Sequence, residues 1–379
     1  MTQLRIPAVY MRGGTSKGVF LRPEGLPADT AARDRLLLRI IGSPDPYGKQ
    51  IDGMGAATSS TSKVVLISKS ARPDCDVDYL FGQVRIDAPL IDWSGNCGNL
   101  TTAVGPFAIS EGLVEAPRDG VALVRIWQAN IGKKILAHVP MRGGQVVEEG
   151  DFELDGVTFP AAEIRLEFID PGAEGAMFPT GSVIDVLKIE NKTIEATLIN
   201  AGNPTIFVAA SSLGLRGTEM QDDVNGDAAL LDRAEAIRAH GAVAMGLAAT
   251  TEEATARRRH TPKLAFIAPP AGYTSSSGRK IDAGSIDMLA RILSMGVLHH
   301  AMTGTGGVAI AVAAAIPGTL VQRTARPNVE GRIRFGHPSG ILSVGAQARE
   351  EGGQWVVSRA LMSRSARRLM EGWVRVPNA

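Results

Sequence analysis

The chain has 379 residues, more than one hydrophobic core usually serves, so two domains are expected. Hydrophobic residues make up 44% and charged ones 21%, and the net charge is only +1. With basic residues scattered apart from Arg257-Arg258-Arg259 and Arg364 to Arg368, this excludes an extended electrostatic footprint for nucleic acid. Those two clusters read as solvated helix faces.

The first residues, MTQLRIPAVYMRGGTSKG, lack an apolar run between a basic head and a cleavage site, so no secretory signal and a cytoplasmic protein are expected. No membrane partner is expected either, because the longest apolar run, Val308 to Ile316, is far below the roughly 20 residues that cross a bilayer. Gly13 to Gly18, GGTSKG, has the look of a phosphate loop but not its spacing. Thr30 to Ile41 has a helical pattern, and Val64 to Ser68 and Tyr79 to Ile86 read as strands. The stretch WSGNCGNLTT, from Trp93 to Thr102, places one of only two cysteines in a polar Gly-turn before the helix predicted over Leu100 to Glu111. Strands follow at Leu123 to Ala129, Ile135 to Val139 and Ile194 to Ile199. Helices are predicted over Ala228 to Leu247, Ile286 to Ser294 and Gly307 to Ala315. This order fits an α+β architecture better than a regular βαβ alternation.

A weak repeat runs through the pattern. Cys97-Gly98-Asn99 opens one apolar stretch, and Thr303-Gly304-Thr305-Gly306 opens another 206 residues later. Gly14 to Phe20 is echoed by Gly202 to Val208, so two equivalent halves are the economical reading. A Gly-turn feeding an apolar helix leaves the first N–H groups without intrahelical partners, and with the helix dipole these make an anion seat. Two such seats suit a ligand with at least two carboxylates. A thiol at such a helix start can trade protons near neutral pH, which favours a reactive Cys97 over a small buried one. Cys75 and Cys97 lack the spacing of a disulfide framework or zinc site, and His299-His300 and His337 lack metal-ligand spacing, so no metal is expected. Lys63 enters an apolar strand after the small, hydroxyl-rich AATSSTS. It is a candidate base or anion ligand, with a strand-end lysine reaching water as the plain alternative.

YMRGGTSKGVF (10–20), GSPDPYGKQIDGMGAATSSTSKV (42–64), DVDYLFGQV (76–84), DWSGNCGNLT (92–101), VRIWQANIGK (124–133), GDFELDGVTFP (150–160), RFGHPSG (334–340) and MSRSAR (362–367) together resemble the PrpF family. The resemblance spans the chain. It implies a diaminopimelate-epimerase-like fold, with two pseudo-symmetric α+β domains, each a sheet wrapped around a central helix, and the active site between them. On that fold the domains are expected at 1–185 and 186–357, with the segment from about 358 to 379 packing back on the first. The implied activity is the cofactor-free movement of 2-methylaconitate, a small tricarboxylate, between its trans and cis forms in the 2-methylcitrate cycle of propionate catabolism.

In the epimerases that share this fold a cysteine heads each central helix. Cys97 matches the first, Thr303 stands in place of the second, and Ser294-Met295-Gly296 replaces the epimerases' Glu-Arg-Gly. Lys63 is then the expected base, removing an allylic proton so that the former double bond can rotate. The N–H groups of Gly98, Asn99, Gly304 and Thr305 would hold the carboxylates. Help is expected from Thr15, Ser16, Ser62, Asn203, Ser277 and Ser294, and from Asn96 beside the thiol. The alternatives are 4-oxalomesaconate tautomerisation, isomerisation of aconitate or methylitaconate, and a non-catalytic accessory role beside an iron-sulfur 2-methylcitrate dehydratase. A functional link to that dehydratase and a homo-oligomer stay open as partners.

Overall fold

The computed structural model describes residues 3–171, 176–189, 192–326 and 332–377. They fall into two units, Met1–Leu166 with Ser363–Ala379, and Glu167–Met362. Residues 378 and 379 of the expected returning segment lie outside the described residues.

Strands β1 (Gln3–Gly13) and β2 (Ser16–Leu21) open the first unit as a hairpin, and α1 (Thr30–Ile41) follows. Asp29 starts α1 by accepting from the Ala32 N–H, and Gly42 ends it at φ 84°, a conformation that glycine adopts without a Cβ penalty. Then come β3 (Lys63–Lys69), β4 (Val77–Val84), β5 (Ile91–Asp92), α2 (Gly98–Ser110), β6 (Gly120–Gln128), β7 (Lys133–Arg142) and β8 (Gln145–Val146). Strand β9 (Ile164–Ile169) runs across the division between the units. The sheet is built as the C-terminal strand Ala366–Pro377 antiparallel to β1, β1 antiparallel to β2, and β2 parallel to β3. It continues as β3 antiparallel to β4, β4 parallel to β6, and β6 antiparallel to β7.

Eleven of the 13 residues of α2 are buried, as expected for a helix that is apolar or small all round and packs inside a curved sheet. It contacts β1, β2, β6, β7, β8 and the C-terminal strand. Small residues set the approach: a Cβ on Gly105 would lie 2.7 Å from Val139 Cγ2. Leu100, Val104 and Phe107 are at most 1% exposed, each contributing about 1.5–3 kcal/mol by burial. A second cluster forms where Leu37, Leu38, Ile40 and Ile41 of α1 meet Val19, Leu21, Val64 and Leu66.

The second unit contains β10 (Asp185–Ile189), β11 (Lys192–Ala201), β12 (Asn203–Ala209), α3 (Gln221–Asn225), α4 (Ala228–Ala244) and α5 (Thr251–Arg257). These are followed by β13 (Lys263–Ala268), β14 (Tyr273–Thr274), β15 (Lys280–Ile281), β16 (Met288–Ser294), β17 (Val297–Leu298), α6 (Gly304–Ala315) and α7 (Leu320–Thr324). Strands β18 (Arg332–His337), β19 (Gly340–Glu351) and β20 (Gln354–Arg364) complete it, β20 running on to Arg364 at the division, and β21 is the C-terminal strand of the first unit. The pairing repeats that of the first unit: β10 antiparallel to β11, β11 antiparallel to β12, and β12 parallel to β13. Then β13 is antiparallel to β16, β16 parallel to β18, and β18 antiparallel to β19. Ten of the 12 residues of α6 are buried. The repeat expected from two Gly-turns is therefore a repeat of strand order, with α2 and α6 as the central helices.

Two expectations are corrected. Ile286 to Ser294 is not a helix but contains the strand β16, every residue of which is buried. A fully buried strand shows no alternation, and Met, Leu, Ala and Arg mimic a helical composition. Arg364 ends β20 and Arg367 and Arg368 lie on β21, none of them on a solvated helix, and Arg364 is only 1% exposed.

Candidate active site

In the first unit the β1–β2 hairpin lies against the start of α2. A Cβ on Gly13 would sit 2.6 Å from the Asn99 carbonyl oxygen, so only glycine permits this approach. The turn is tied down where the Gly14 N–H donates to the Ser365 carbonyl at 2.9 Å and Asn99 Nδ2 donates to Thr15 Oγ1 at 3.0 Å. Thr15 and Ser16 are both buried.

Lys63, the first residue of β3, is 4% exposed. Its Nζ donates to Gln83 Oε1 at 2.5 Å, at the directly opposite position on β4, and lies 5.1 Å from the centre of the Phe81 ring. Gln83 Nε2 donates in turn to the Ser62 carbonyl at 3.1 Å, and Ser62 Oγ to Gln50 Oε1 at 2.7 Å. Burial pulls the Lys63 pKa below the ordinary lysine value, with the Cys97 thiol working in the other direction.

Cys97 is the N-cap of α2, and the Leu100 N–H donates to its Sγ at 3.5 Å. Its carbonyl accepts from the Tyr79 hydroxyl at 3.2 Å and from Thr101 Oγ1 at 3.0 Å. Thr101 Oγ1 also reaches Asn96 Oδ1, at 3.3 Å. Gly98 and Asn99 are the first two helical residues and are buried, where the dipole of α2 favours negative charge. Lys63 and Arg364, both buried, lie within electrostatic reach of Cys97. Both cysteines are free.

The second unit repeats the frame with other chemistry. Thr303 caps α6 by accepting from the Gly306 N–H at 3.1 Å, and Gly304 and Thr305 begin the helix. Gly202, at φ 69°, makes the β11–β12 turn, where a Cβ would meet Val308 at 3.0 Å; Asn203 after it is buried. Lys263 opens β13 opposite Thr205 of β12, as Lys63 opens β3 beside β2. Its Nζ donates to Ser294 Oγ at 3.0 Å and lies 3.2 Å from His260 Nδ1. Ser277 is the outlying candidate: it sits on an exposed turn, 3.0 Å from Ser275 Oγ.

The structure therefore brings Thr15, Asn99, Cys97 and Asn96 together at the head of α2, with Ser62 and Lys63 joined through Gln83. It places Thr303, Gly304 and Thr305 at the head of α6, and Ser294 on Lys263. Sequence reasoning missed Gln83, Lys263 and Arg364. Lys263 carries the signal that marked Lys63, a lysine entering an apolar strand, and Arg364 continues the buried alternation Ala360, Met362, Arg364.

A cavity of about 690 Å³ lies at the other end of α2, lined by Phe107, Glu111 and Trp373 among others. Its charges are paired, Arg22 with Glu24 and Arg368 with Glu111 and Glu371, so it offers no reactive group. Among the described residues no group of three His, Cys, Asp or Glu side chains could hold a metal ion, and no helix is long and apolar enough to cross a membrane.

Two units of one strand order, each closed on a buried helix headed by thiol, hydroxyl or amide groups, define an isomerase of the diaminopimelate-epimerase-like fold. A hydroxyproline epimerase of Agrobacterium vitis shares that fold, with a TM-score of 0.57 at 13% identity, covering 99% of this chain and 93% of its own. The chain belongs to the PrpF family, whose profile, described as PrpF protein, matches residues 3–377. A 2-methyl-aconitate isomerase of Cupriavidus necator is 62% identical over 389 residues, covering 99% of this chain and 98% of the relative. The crystal structure of a methylitaconate-delta-isomerase superposes with a TM-score of 0.78 at 41% identity, covering 100% of this chain and 97% of the other.

Proposed function

We propose that the protein isomerises 2-methylaconitate between its trans and cis forms by removing and returning an allylic proton. The observation that carries this is the buried Lys63 amine, held by Gln83, its pKa lowered, within electrostatic reach of Cys97 at the head of α2. It occurs in a chain 62% identical, end to end, to a relative named 2-methyl-aconitate isomerase. Lys63 takes the proton as a neutral amine. The C–H electron pair becomes part of an extended enolate, the former double bond rotates, and a proton returns to the same carbon. Gly98 and Asn99 at one helix head, and Gly304 and Thr305 at the other, each favour a carboxylate, with Thr15, Ser16, Ser62, Asn96, Asn203 and Ser294 supplying polar donors. Ser277, on its exposed turn, has the weakest support. A place in the 2-methylcitrate cycle belongs to this reading.

The second reading, double-bond migration in methylitaconate, is favoured by the 41% identical structure; it needs the same allylic proton abstraction, with the proton returned to the far carbon of the former double bond. Proton NMR of the purified protein with 2-methyl-trans-aconitate in D2O tests both. The cis isomer with deuterium at the allylic carbon is expected. No conversion of 2-methyl-trans-aconitate alongside conversion of methylitaconate would move the assignment to the second reading.

A further inference from the structure

Arg364, the last residue of β20, is 1% exposed, and burial lowers its pKa to about 10 against the opposing pull of Cys97. Its Nε and Nη2 are shut off from solvent, and neither has a hydrogen-bond partner among the described residues, the Cys97 sulfur included. A buried guanidinium left in that state is costly, so its place in the fold needs another reason. Arg291 is the contrast: equally buried, it gives Nε to the Glu219 carbonyl at 2.7 Å and Nη1 to the carbonyls of Ala290 and Gly336 at 3.1 Å, so that only its Nη2 is left without a partner and the Nε–Nη2 edge is already in use.

The identity of the two unused donors is informative. Nε–H and Nη2–H point side by side and form the edge of the guanidinium that grips both oxygens of a carboxylate. The molecule uses that edge elsewhere, where Arg238 Nε and Nη2 reach the two oxygens of Glu235 at 2.7 and 2.6 Å. At Arg364 the edge is present and the carboxylate is not part of the chain. Cys97, within electrostatic reach of Arg364, caps α2, whose dipole also favours an anion.

We propose that Arg364 is a substrate-binding residue whose Nε and Nη2 take the substrate carboxylate conjugated with the carbon that loses its proton. This rests on the isomerase reading above. As the proton leaves, negative charge grows on that carboxylate, and a fixed guanidinium holds it more tightly in the transition state than in the ground state. Arg364 therefore acts on binding and on turnover.

The test uses the full chain and propane-1,2,3-tricarboxylate, a saturated analogue that cannot react, titrated by calorimetry alongside NMR turnover. Arg364→Lys keeps the charge and loses the fork. It is expected to melt as the unaltered protein does, to bind the analogue at least about 10-fold more weakly, and to lose about 100-fold in kcat/KM. Arg364→Ala is expected to regain turnover when free guanidinium is added at millimolar concentration. Binding and turnover of Arg364→Lys within about threefold of the unaltered protein overturn the proposal. So does unchanged analogue binding with only the alkylation rate of Cys97 altered, since the arginine then serves the thiol. If both variants lose their melting transition and the analogue does not raise the melting temperature of the unaltered protein, Arg364 is structural and the proposal also fails. An unaltered protein that binds the analogue through Arg364 but leaves both 2-methyl-trans-aconitate and methylitaconate unchanged would sink the isomerase reading instead.

Discussion

In the reaction proposed above, Lys63 would serve as a base only because it is buried. An ordinary lysine is protonated at neutral pH, and desolvation shifts it toward the amine while Gln83 Oε1 fixes where the nitrogen points. Lys63→Ala is expected to lower kcat by at least about 100-fold with an unchanged circular dichroism spectrum. Activity near the unaltered level would remove Lys63 from the chemistry. The direction of the shift also fixes the pH dependence. The rate should rise with pH as Lys63 loses its proton, with the limb below the ordinary value of 10.5; a limb at 10.5 would contradict the burial. Between the lowered value and 10.5 the unfolded chain binds more protons than the folded one, so Lys63 makes stability rise with pH across that window. Much of this residue was legible in the sequence, because a lysine opening an apolar strand needs a reason. Its counterpart Gln83 was not, because the pairing of β3 with β4 that sets them opposite is a tertiary fact.

At the scale of elements, the site depends on how closely the β1–β2 hairpin approaches α2. Gly13→Ala would drive a methyl into the Asn99 carbonyl, which belongs to helix backbone and cannot step aside. The substitution is expected to cost about 1–3 kcal/mol in urea denaturation and to weaken the Asn99–Thr15 bond, raising KM as well. An unchanged midpoint would mean that the hairpin stands further from the helix. The elements were legible where periodicity is clean: α1 spans the predicted residues, and β3 and β11 extend their predicted strands by one and two residues at each end. Periodicity failed at β16, buried on every side, and at Arg364, whose inward alternation was outweighed by the run of arginines behind it. The shared strand order also sets Lys263 at the position of Lys63, with Ser294 in the place of Gln83. Lys263→Met is therefore expected to lower kcat by about 10-fold or more, with proton exchange at the allylic carbon lost less than isomerisation. Equal loss of both, with folding intact, would make Lys263 a positioning residue.

For the molecule as a whole, one architecture occurs twice, and with it a buried lysine at the start of the matching strand, while the thiol does not. The first unit holds the thiol, the lowered lysine and the unpaired guanidinium, and the second holds Thr303 at the matching helix head. A threonine hydroxyl does not exchange protons near neutral pH as a thiol does, so the symmetric two-thiol chemistry of a racemase is not available to this chain. On the proposed reading, what the site would recognise is carboxylate number and the shape around one carbon. A methyl group in an apolar pocket is worth only about 1–3 kcal/mol, so 2-methylaconitate should be preferred over aconitate by roughly 10- to 200-fold in kcat/KM and no more. The measurement is competition of both acids in one tube, followed by NMR. A ratio near one would mean that nothing packs against the methyl group, and would favour aconitate as an equal substrate. A ratio far above that range would mean that the methyl group positions the reacting carbon, so that its absence costs orientation and not merely contact.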